Sequence, residues 1–188
     1  MNLVDGFISY IEAERRYSPL TVRNYRRDIA DFLEFIGVDK ERFDPNAIAR
    51  ADVEEWIVYL FEKRKLKAQS VNRSVATLRS FWKWMLGHGH ANRNVVKIIP
   101  QAKTSSPLPI FVPESRMKDV VKSLRLDIAS EDFERLRDAI IILLFYTAGL
   151  RLAELSNLKI GDISADYRTI RILGKGEKER IVPLIGRM

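Results

Sequence analysis

Two residues in the second half of the sequence, Arg151 and Glu154, have types and spacing suited to phosphate chemistry. Arg151 follows a glycine in FYTAGLRLAEL, and Glu154 lies three residues further on, at the spacing of a helical ion pair. An arginine held at a turn-to-helix junction and braced by a carboxylate presents a rigid fork of donors to a phosphate. The alternative is a surface arginine that pairs with Glu154 and has no ligand. The spacing alone is compatible with both interpretations.

A second candidate, Lys175, lies between glycines in ILGKGEKER, at the turn of a predicted hairpin. One interpretation is a solvated turn lysine. The other is a lysine that reaches into a groove and donates a proton to a leaving oxygen. A phosphate-binding P-loop is excluded, because the segment lacks the G-x-x-x-x-G-K-[ST] spacing and leads into a strand instead of a helix.

Composition narrows the classes of function. The 188 residues are 46% hydrophobic, which predicts a folded globular protein, and the absence of cysteine excludes disulfides and thiolate metal sites. The sequence has neither a secretory signal nor the roughly 20 apolar residues of a membrane span, so we expect a soluble, cytoplasmic protein. A net charge of +7 favours a polyanionic partner, such as nucleic acid or an acidic membrane surface.

The elements that would position these residues fall into two parts. Apolar residues recur at helical spacing through residues 1–97, which predicts four helices in a compact all-α domain. Ser18 and Pro19 suit the start of one helix, which Gly37 closes. A later helix is predicted to end at Gly87. Its predicted inward face comprises Val71, Val75, Leu78, Trp82 and Met85.

The character of the sequence then changes. Prolines and serines predict an extended linker at residues 98–112. Residues 113–188 are predicted to form an α+β domain, in which a long helix is capped by Ser130 and ended by Gly149. The segments TIRIL and RIVPL flank GKGEK and predict an antiparallel β-hairpin.

TAGLRLAEL, DIS and IRILGKGEKERIVPL, in this order, resemble the tyrosine recombinases, in particular the Xer type (XerC and XerD) and related integrases. The helical half, with YSPLTVRNYRRDIADFLEFI and SVNRSVATLRSFWKWM, is similar to the core-binding, SAM-like domain of that family. The resemblance implies a mainly α fold, in which a four-helix core-binding domain precedes the first part of an α+β catalytic domain with a small antiparallel sheet.

The implied activity is site-specific DNA recombination or integration. A tyrosine attacks a backbone phosphate of double-stranded DNA, forms a 3′-phosphotyrosine link and releases a 5′-hydroxyl, with no metal or other cofactor. The implied partners are the DNA and other recombinase protomers, which form a tetramer on it.

The resemblance also implies roles for individual residues. Arg151 matches the catalytic arginine that neutralises the non-bridging oxygens of the transition state, and Lys175 matches the lysine that protonates the leaving oxygen. Glu154 is implied to orient the Arg151 side chain without contacting the phosphate itself. Each candidate contact to phosphates or base edges in the helical half has an alternative as part of a solvated basic face. These candidates are Thr21, Tyr25, Asn72, Arg73 and Arg79.

The family's remaining catalytic groups, a His-x-x-Arg pair, a further His or Trp and the nucleophilic tyrosine, would follow Lys175. All six tyrosines of this sequence precede that lysine. We therefore expect a fragment of a longer recombinase that binds DNA without cleaving it alone. Two other hypotheses stay open: a naturally short DNA-binding module that occupies recombination sites, and a helical protein-interaction domain whose charge is incidental.

Overall fold

A computed structural model of the chain describes residues 2–104, 111–128, 131–174 and 178–184. The chain divides into two compact units, Met1–Pro107 and Leu108–Met188. Among the helices that the structure describes, none is both long and apolar enough to cross a membrane.

The described part of the first unit is helical, as predicted. A π-helical turn, Tyr10–Glu14, continues the first helix directly. The α-helices of this unit are α1 (Leu3–Ser9), α2 (Pro19–Phe35), α3 (Arg50–Glu62) and α4 (Ala68–Gly87).

Local chemistry sets the ends of α2. The side chain of Ser18 accepts a hydrogen bond from the backbone N–H of Thr21, and Pro19 occupies the first helical position, where no N–H is needed. Gly37 follows the helix with a φ of +67°, a left-handed conformation that favours glycine. The predicted start and end of this helix are confirmed.

Aromatic side chains fill the core of the helical unit. Trp56 and Trp82 are fully buried, and the ring of Phe32 meets both edge-on at centroid distances of 5.3 and 5.9 Å. All five residues predicted for the inward face of α4 are buried. This core fixes α2 against α4.

Residues beyond α4 also pack on the helical unit. Ile99 is buried in its core. The amide of Asn72 exchanges two hydrogen bonds with the backbone of Ala102, at 2.8 and 2.9 Å, and Nη2 of Arg79 donates to the carbonyl of Ile99 at 2.9 Å. The first part of the segment expected to be an extended linker, residues 98–112, is therefore held on the helices.

The second unit combines three helices with a hairpin in its described residues. A 3₁₀ turn, Ile160–Asp162, precedes the hairpin. The strands pair antiparallel, with Ile172 opposite Arg180, which confirms the predicted hairpin. The elements are α5 (Glu114–Ile128), α6 (Phe133–Ala148), α7 (Leu152–Ser156), β1 (Thr169–Leu173) and β2 (Glu179–Pro183).

The predicted cap of α6 needs correction. Asp132 is the N-cap, and its side chain accepts hydrogen bonds from the backbone N–H groups of Glu134 and Arg135. A carboxylate at this position also interacts favourably with the helix dipole. Ser130, the predicted cap, lies outside the described residues.

An apolar cluster joins the hairpin to the helices of the second unit. Ile170 and Ile172 are two residues apart on β1, so their side chains point to the same face of the strand. Both are buried together with Leu150. The end of α6 and Leu155 of α7 pack against them. The hairpin is thereby fixed beside α7.

Gly149 ends α6 in the left-handed conformation, with φ and ψ of 58° and 36°. We expect Gly149→Ala to lower the free energy of unfolding by about 1–2 kcal/mol in urea denaturation, because a Cβ is strained in this conformation. Gly161→Ala is the matched control, since a Cβ there also meets open space but φ is not left-handed. Equal losses for the two variants would contradict this account.

Candidate functional site

Arg151 lies at the start of α7, two residues after the left-handed Gly149. It is the N-cap residue of the helix, and its extended backbone (φ −79°, ψ 152°) directs the chain from the turn into α7. Its backbone N–H donates to Oε2 of Glu154 at 2.8 Å, and its Nη1 donates to Oε1 at 2.7 Å. The Glu154 side chain is 5% exposed, whereas that of Arg151 is 71% exposed. A buried carboxylate therefore binds both the backbone N–H of Arg151 and one nitrogen of its exposed guanidinium.

A second arginine binds the same carboxylate from the hairpin. Nη1 and Nη2 of Arg180 donate to Oε1 and Oε2 of Glu154, both at 2.8 Å, in the parallel two-bond geometry that strengthens arginine–carboxylate pairs. Each carboxylate oxygen thus accepts two hydrogen bonds. We call Arg151, Glu154 and Arg180 the arginine triad.

Sequence reasoning missed Arg180, although the pattern of β2 contained a signal. Arg180 and Val182 are two residues apart, so they share one face of the strand, and both are partly buried. A charged residue on the inward face of a strand requires a buried partner. The sequence does not show that this partner is Glu154, which comes from a helix.

The arginines keep Glu154 ionised. The hydrogen bonds from Arg180, followed by the one from the backbone of Arg151, hold the pKa of Glu154 well below its usual range, against the opposing effect of burial. The same pairing raises the pKa of Arg180. With two guanidiniums and one carboxylate, the arginine triad carries a net charge of +1.

Gly174 brings the backbone of the hairpin close to the triad. A Cβ at this position would lie 3.5 Å from both Nη1 of Arg180 and Oε1 of Glu154, and 3.3 Å from the carbonyl oxygen of Lys178. That carbonyl accepts a hydrogen bond of 2.8 Å from the N–H of Gly174. A Cβ at Gly174 would therefore make ordinary van der Waals contact with the triad and a tight contact with this carbonyl oxygen alone. Lys175, the other predicted catalytic residue, is next in sequence and lies outside the described residues.

A similar arrangement occurs in the helical unit. Asp28 of α2 is 2% exposed and accepts hydrogen bonds from Oγ1 of Thr77 at 3.1 Å and from Nη2 of Arg73 at 3.3 Å. Nη2 of the neighbouring Arg27 lies 3.4 Å from Oδ1 of Asp28. The side chains of Arg27 and Arg73 are about half exposed, at 53% and 47%. We call Asp28, Arg27 and Arg73 the arginine fork.

The other candidates of the helical half differ in their contacts. The hydroxyl of Thr21 lies 2.8 Å from that of Ser18, and the hydroxyl of Tyr25 lies 3.5 Å from Oγ of Ser80, across α2 and α4. Thr21 and Tyr25 are both partly exposed. In contrast, the polar groups of Asn72 and Arg79 bind the backbone of residues 99–102. This geometry favours a role in folding for Asn72 and Arg79.

The described residues contain no cluster of three or more His, Cys, Asp or Glu side chains arranged to hold a metal ion. The chemistry that the two arginine clusters offer is the binding of oxyanions, because guanidinium groups match the geometry of a phosphate.

Comparisons with known proteins agree with this architecture. The phage integrase N-terminal SAM-like domain matches residues 4–89, and the phage integrase family matches residues 117–187. Tyrosine recombinase XerC of Pediococcus pentosaceus is 33% identical and tyrosine recombinase XerD of Listeria monocytogenes is 32% identical, over 97% of this chain. The chain spans 60% of the length of each of these relatives.

Solved structures show the same fold. A lambda integrase dimer bound to a COC′ core site superposes with a TM-score of 0.67 at 18% identity, covering 96% of this chain and 60% of that one. The helical unit and the α+β unit with its hairpin thus define an integrase-type fold. The chain belongs to the phage integrase family of tyrosine recombinases, and its curated relatives include the Xer type.

The depressed pKa of Glu154 predicts a dependence of stability on pH. Its ionised form is favoured in the folded state, so the stabilisation is present above the ordinary value of 4.5 and is lost as the pH falls below it towards the folded pKa. We expect the urea midpoint of the second unit to fall more between pH 6 and pH 2 in the wild type than in Glu154→Gln, which cannot titrate. Glu179→Gln, at an exposed position of β2, should retain the wild-type dependence. Parallel curves for the wild type and Glu154→Gln would contradict the assignment.

Proposed function

We propose that this chain provides the DNA-binding surface and part of the phosphate-binding active site of a tyrosine-type site-specific recombinase. The observation that carries the proposal is the exposed guanidinium of Arg151, held by the buried carboxylate of Glu154 in a cluster of net positive charge. Membership of the tyrosine recombinase family supports the assignment of this cluster to the active site of a recombinase. The chain alone is proposed to bind DNA without cleaving it, since no tyrosine follows Lys175 in its sequence.

In the proposed reaction, a tyrosine oxygen attacks the scissile phosphorus and the bond to the 5′ oxygen breaks. Arg151 binds the non-bridging oxygens, on which negative charge increases in the transition state. Glu154 keeps the guanidinium in place. Lys175 supplies the proton that the leaving 5′ oxygen takes up. No cofactor enters this scheme, because the phosphotyrosine bond conserves the energy of the phosphodiester.

The helical unit is proposed to bind the DNA backbone through α2 and α4. The arginine fork supports this role, because buried Asp28 restricts two guanidiniums that stay half exposed. Thr21 and Tyr25 belong to the same pair of helices and are retained as candidate contacts. Asn72 and Arg79, which sequence resemblance also suggested, contribute indirectly by holding residues 99–102.

The proposed partners are double-stranded DNA and further recombinase protomers, with a tetramer as the assembly on DNA. Structural neighbours support the first two, since they include an integrase dimer on its core site and a transposon integrase with circular-intermediate DNA. A cytoplasmic location is proposed as well, and the bacterial origin of the related recombinases supports it.

Binding of this chain to a duplex of about 30 base pairs should weaken steeply between 50 and 200 mM salt, because bound phosphates release counterions. We expect Arg73→Ala to reduce the slope of log K against log salt by about one, as measured by fluorescence anisotropy. Asn72→Ala should leave that slope unchanged and lower stability by about 1 kcal/mol, because its hydrogen bonds are internal. Affinity that is absent or indifferent to salt would refute DNA binding and favour a protein-interaction domain.

The catalytic part of the proposal requires a protein that contains this chain together with a nucleophilic tyrosine. In such a protein, Arg151→Ala should abolish covalent phosphotyrosine formation on a DNA substrate, because the charge of the transition state loses its guanidinium partner. Binding to the site, measured by gel shift, should largely persist. Undiminished formation of the covalent complex would refute the role of Arg151.

A further inference from the structure

We infer that Arg180 is a positioning residue that neutralises Glu154, so that the charge of Arg151 remains available to a DNA phosphate. This inference rests on the proposed function, because it concerns the same phosphate site. Its basis is the arrangement of the arginine triad, in which one buried carboxylate serves two arginines that differ in exposure and in the use of their nitrogens.

The geometry distinguishes the two arginines. Arg180 directs both of its terminal nitrogens to Glu154, and its side chain is 39% exposed. Arg151 directs only Nη1 to the carboxylate, and its side chain is 71% exposed. Nη2 and Nε of Arg151 make no hydrogen bond with the described residues. Arg151 therefore has the donors and the access that a phosphate requires, whereas Arg180 faces the carboxylate.

The charges of the three side chains explain why a second arginine favours phosphate binding at Arg151. A carboxylate in contact with Arg151 alone would cancel the positive charge of that guanidinium, and a phosphate would then approach a neutral pair. Arg180 adds a second positive charge at the same carboxylate, so the triad keeps its net charge of +1. Burial strengthens these effects, because the side chain of Glu154 is only 5% exposed and solvent screens it weakly.

Arg180 also links this charge balance to the hairpin. It lies on β2, whose partner β1 is packed against the helices through Ile170 and Ile172. Glu154 belongs to α7, so the carboxylate is bound from two separate elements. Replacement of Arg180 therefore removes both a charge and a link between the hairpin and α7. A charge-compensating double variant separates these two effects.

The experiment measures binding of the 188-residue chain to the 30-base-pair duplex as a function of salt. Arg180→Met retains much of the side-chain length and removes the charge, which leaves Glu154 to neutralise Arg151. We expect the slope of log K against log salt to fall by about 0.9, the value for one phosphate contact, as it should in Arg151→Ala. Adding Glu154→Gln to Arg180→Met restores the net charge of +1 and should restore the slope.

Arg171→Met is the matched control for loss of one charge. Arg171 is on β1 of the same hairpin, is 56% exposed, and pairs with Asp162 outside the triad. Its replacement should leave the slope at the wild-type value. Arg180→Lys provides a second test if Arg180→Met does not fold: it retains the positive charge without the two-nitrogen fork, and its slope should also match the wild type. Thermal melting of each variant identifies those that are folded.

The outcomes separate the inference from the proposed function. If Arg151→Ala leaves the slope unchanged, the phosphate site itself is refuted. If Arg151→Ala lowers the slope but a folded Arg180→Met does not, the role of Arg180 is refuted. A folded double variant that fails to recover the slope, or a folded Arg180→Lys that loses it, would show that Arg180 acts only by holding the hairpin and would overturn the inference.

Discussion

The carboxylate of Glu154 is the point on which the second unit's candidate site depends. It accepts hydrogen bonds from the backbone of one residue and from the side chains of two arginines, with two donors at each oxygen. This saturation offsets the desolvation of a buried charge, which is otherwise costly. The same contacts determine where Arg151 points and how α7 meets the hairpin. Loss of this one group would therefore affect both the shape and the charge of the site.

The two units contain the same kind of charged cluster. In each, a buried acidic side chain binds arginines that remain open to solvent: Asp28 holds Arg27 and Arg73, and Glu154 holds Arg151 and Arg180. An exposed arginine loses conformational entropy when it binds a phosphate, and prior restriction by an acid reduces that loss. The acid also lowers the local positive charge, so it is most useful where more than one arginine shares it. Both clusters meet this condition.

Local patterns predicted much of the fold. Ser18, Pro19 and Gly37 predicted the ends of α2, because capping and left-handed conformations depend on residues close in sequence. The predicted inward face of α4 was correct for the same reason, since helical periodicity is a local property. The predicted cap of α6 was wrong, because Ser130 and Asp132 are both good caps and composition does not choose between them.

The sequence by itself determined the helical unit, the antiparallel hairpin and the pairing of Arg151 with Glu154, because each follows from spacing within a few residues. Only the tertiary structure decided that Arg180 shares this carboxylate from 26 positions away. It also decided that the amide of Asn72 binds the backbone of Ala102 and is thus engaged in an internal contact. In the same way, it decided that Asp28 binds one arginine from α2 and one from α4. These contacts join residues that are distant in sequence and meet only when helices and strands pack together. The periodicity of a sequence predicts which face of an element is buried, but it does not predict which side chains of other elements that face will contact.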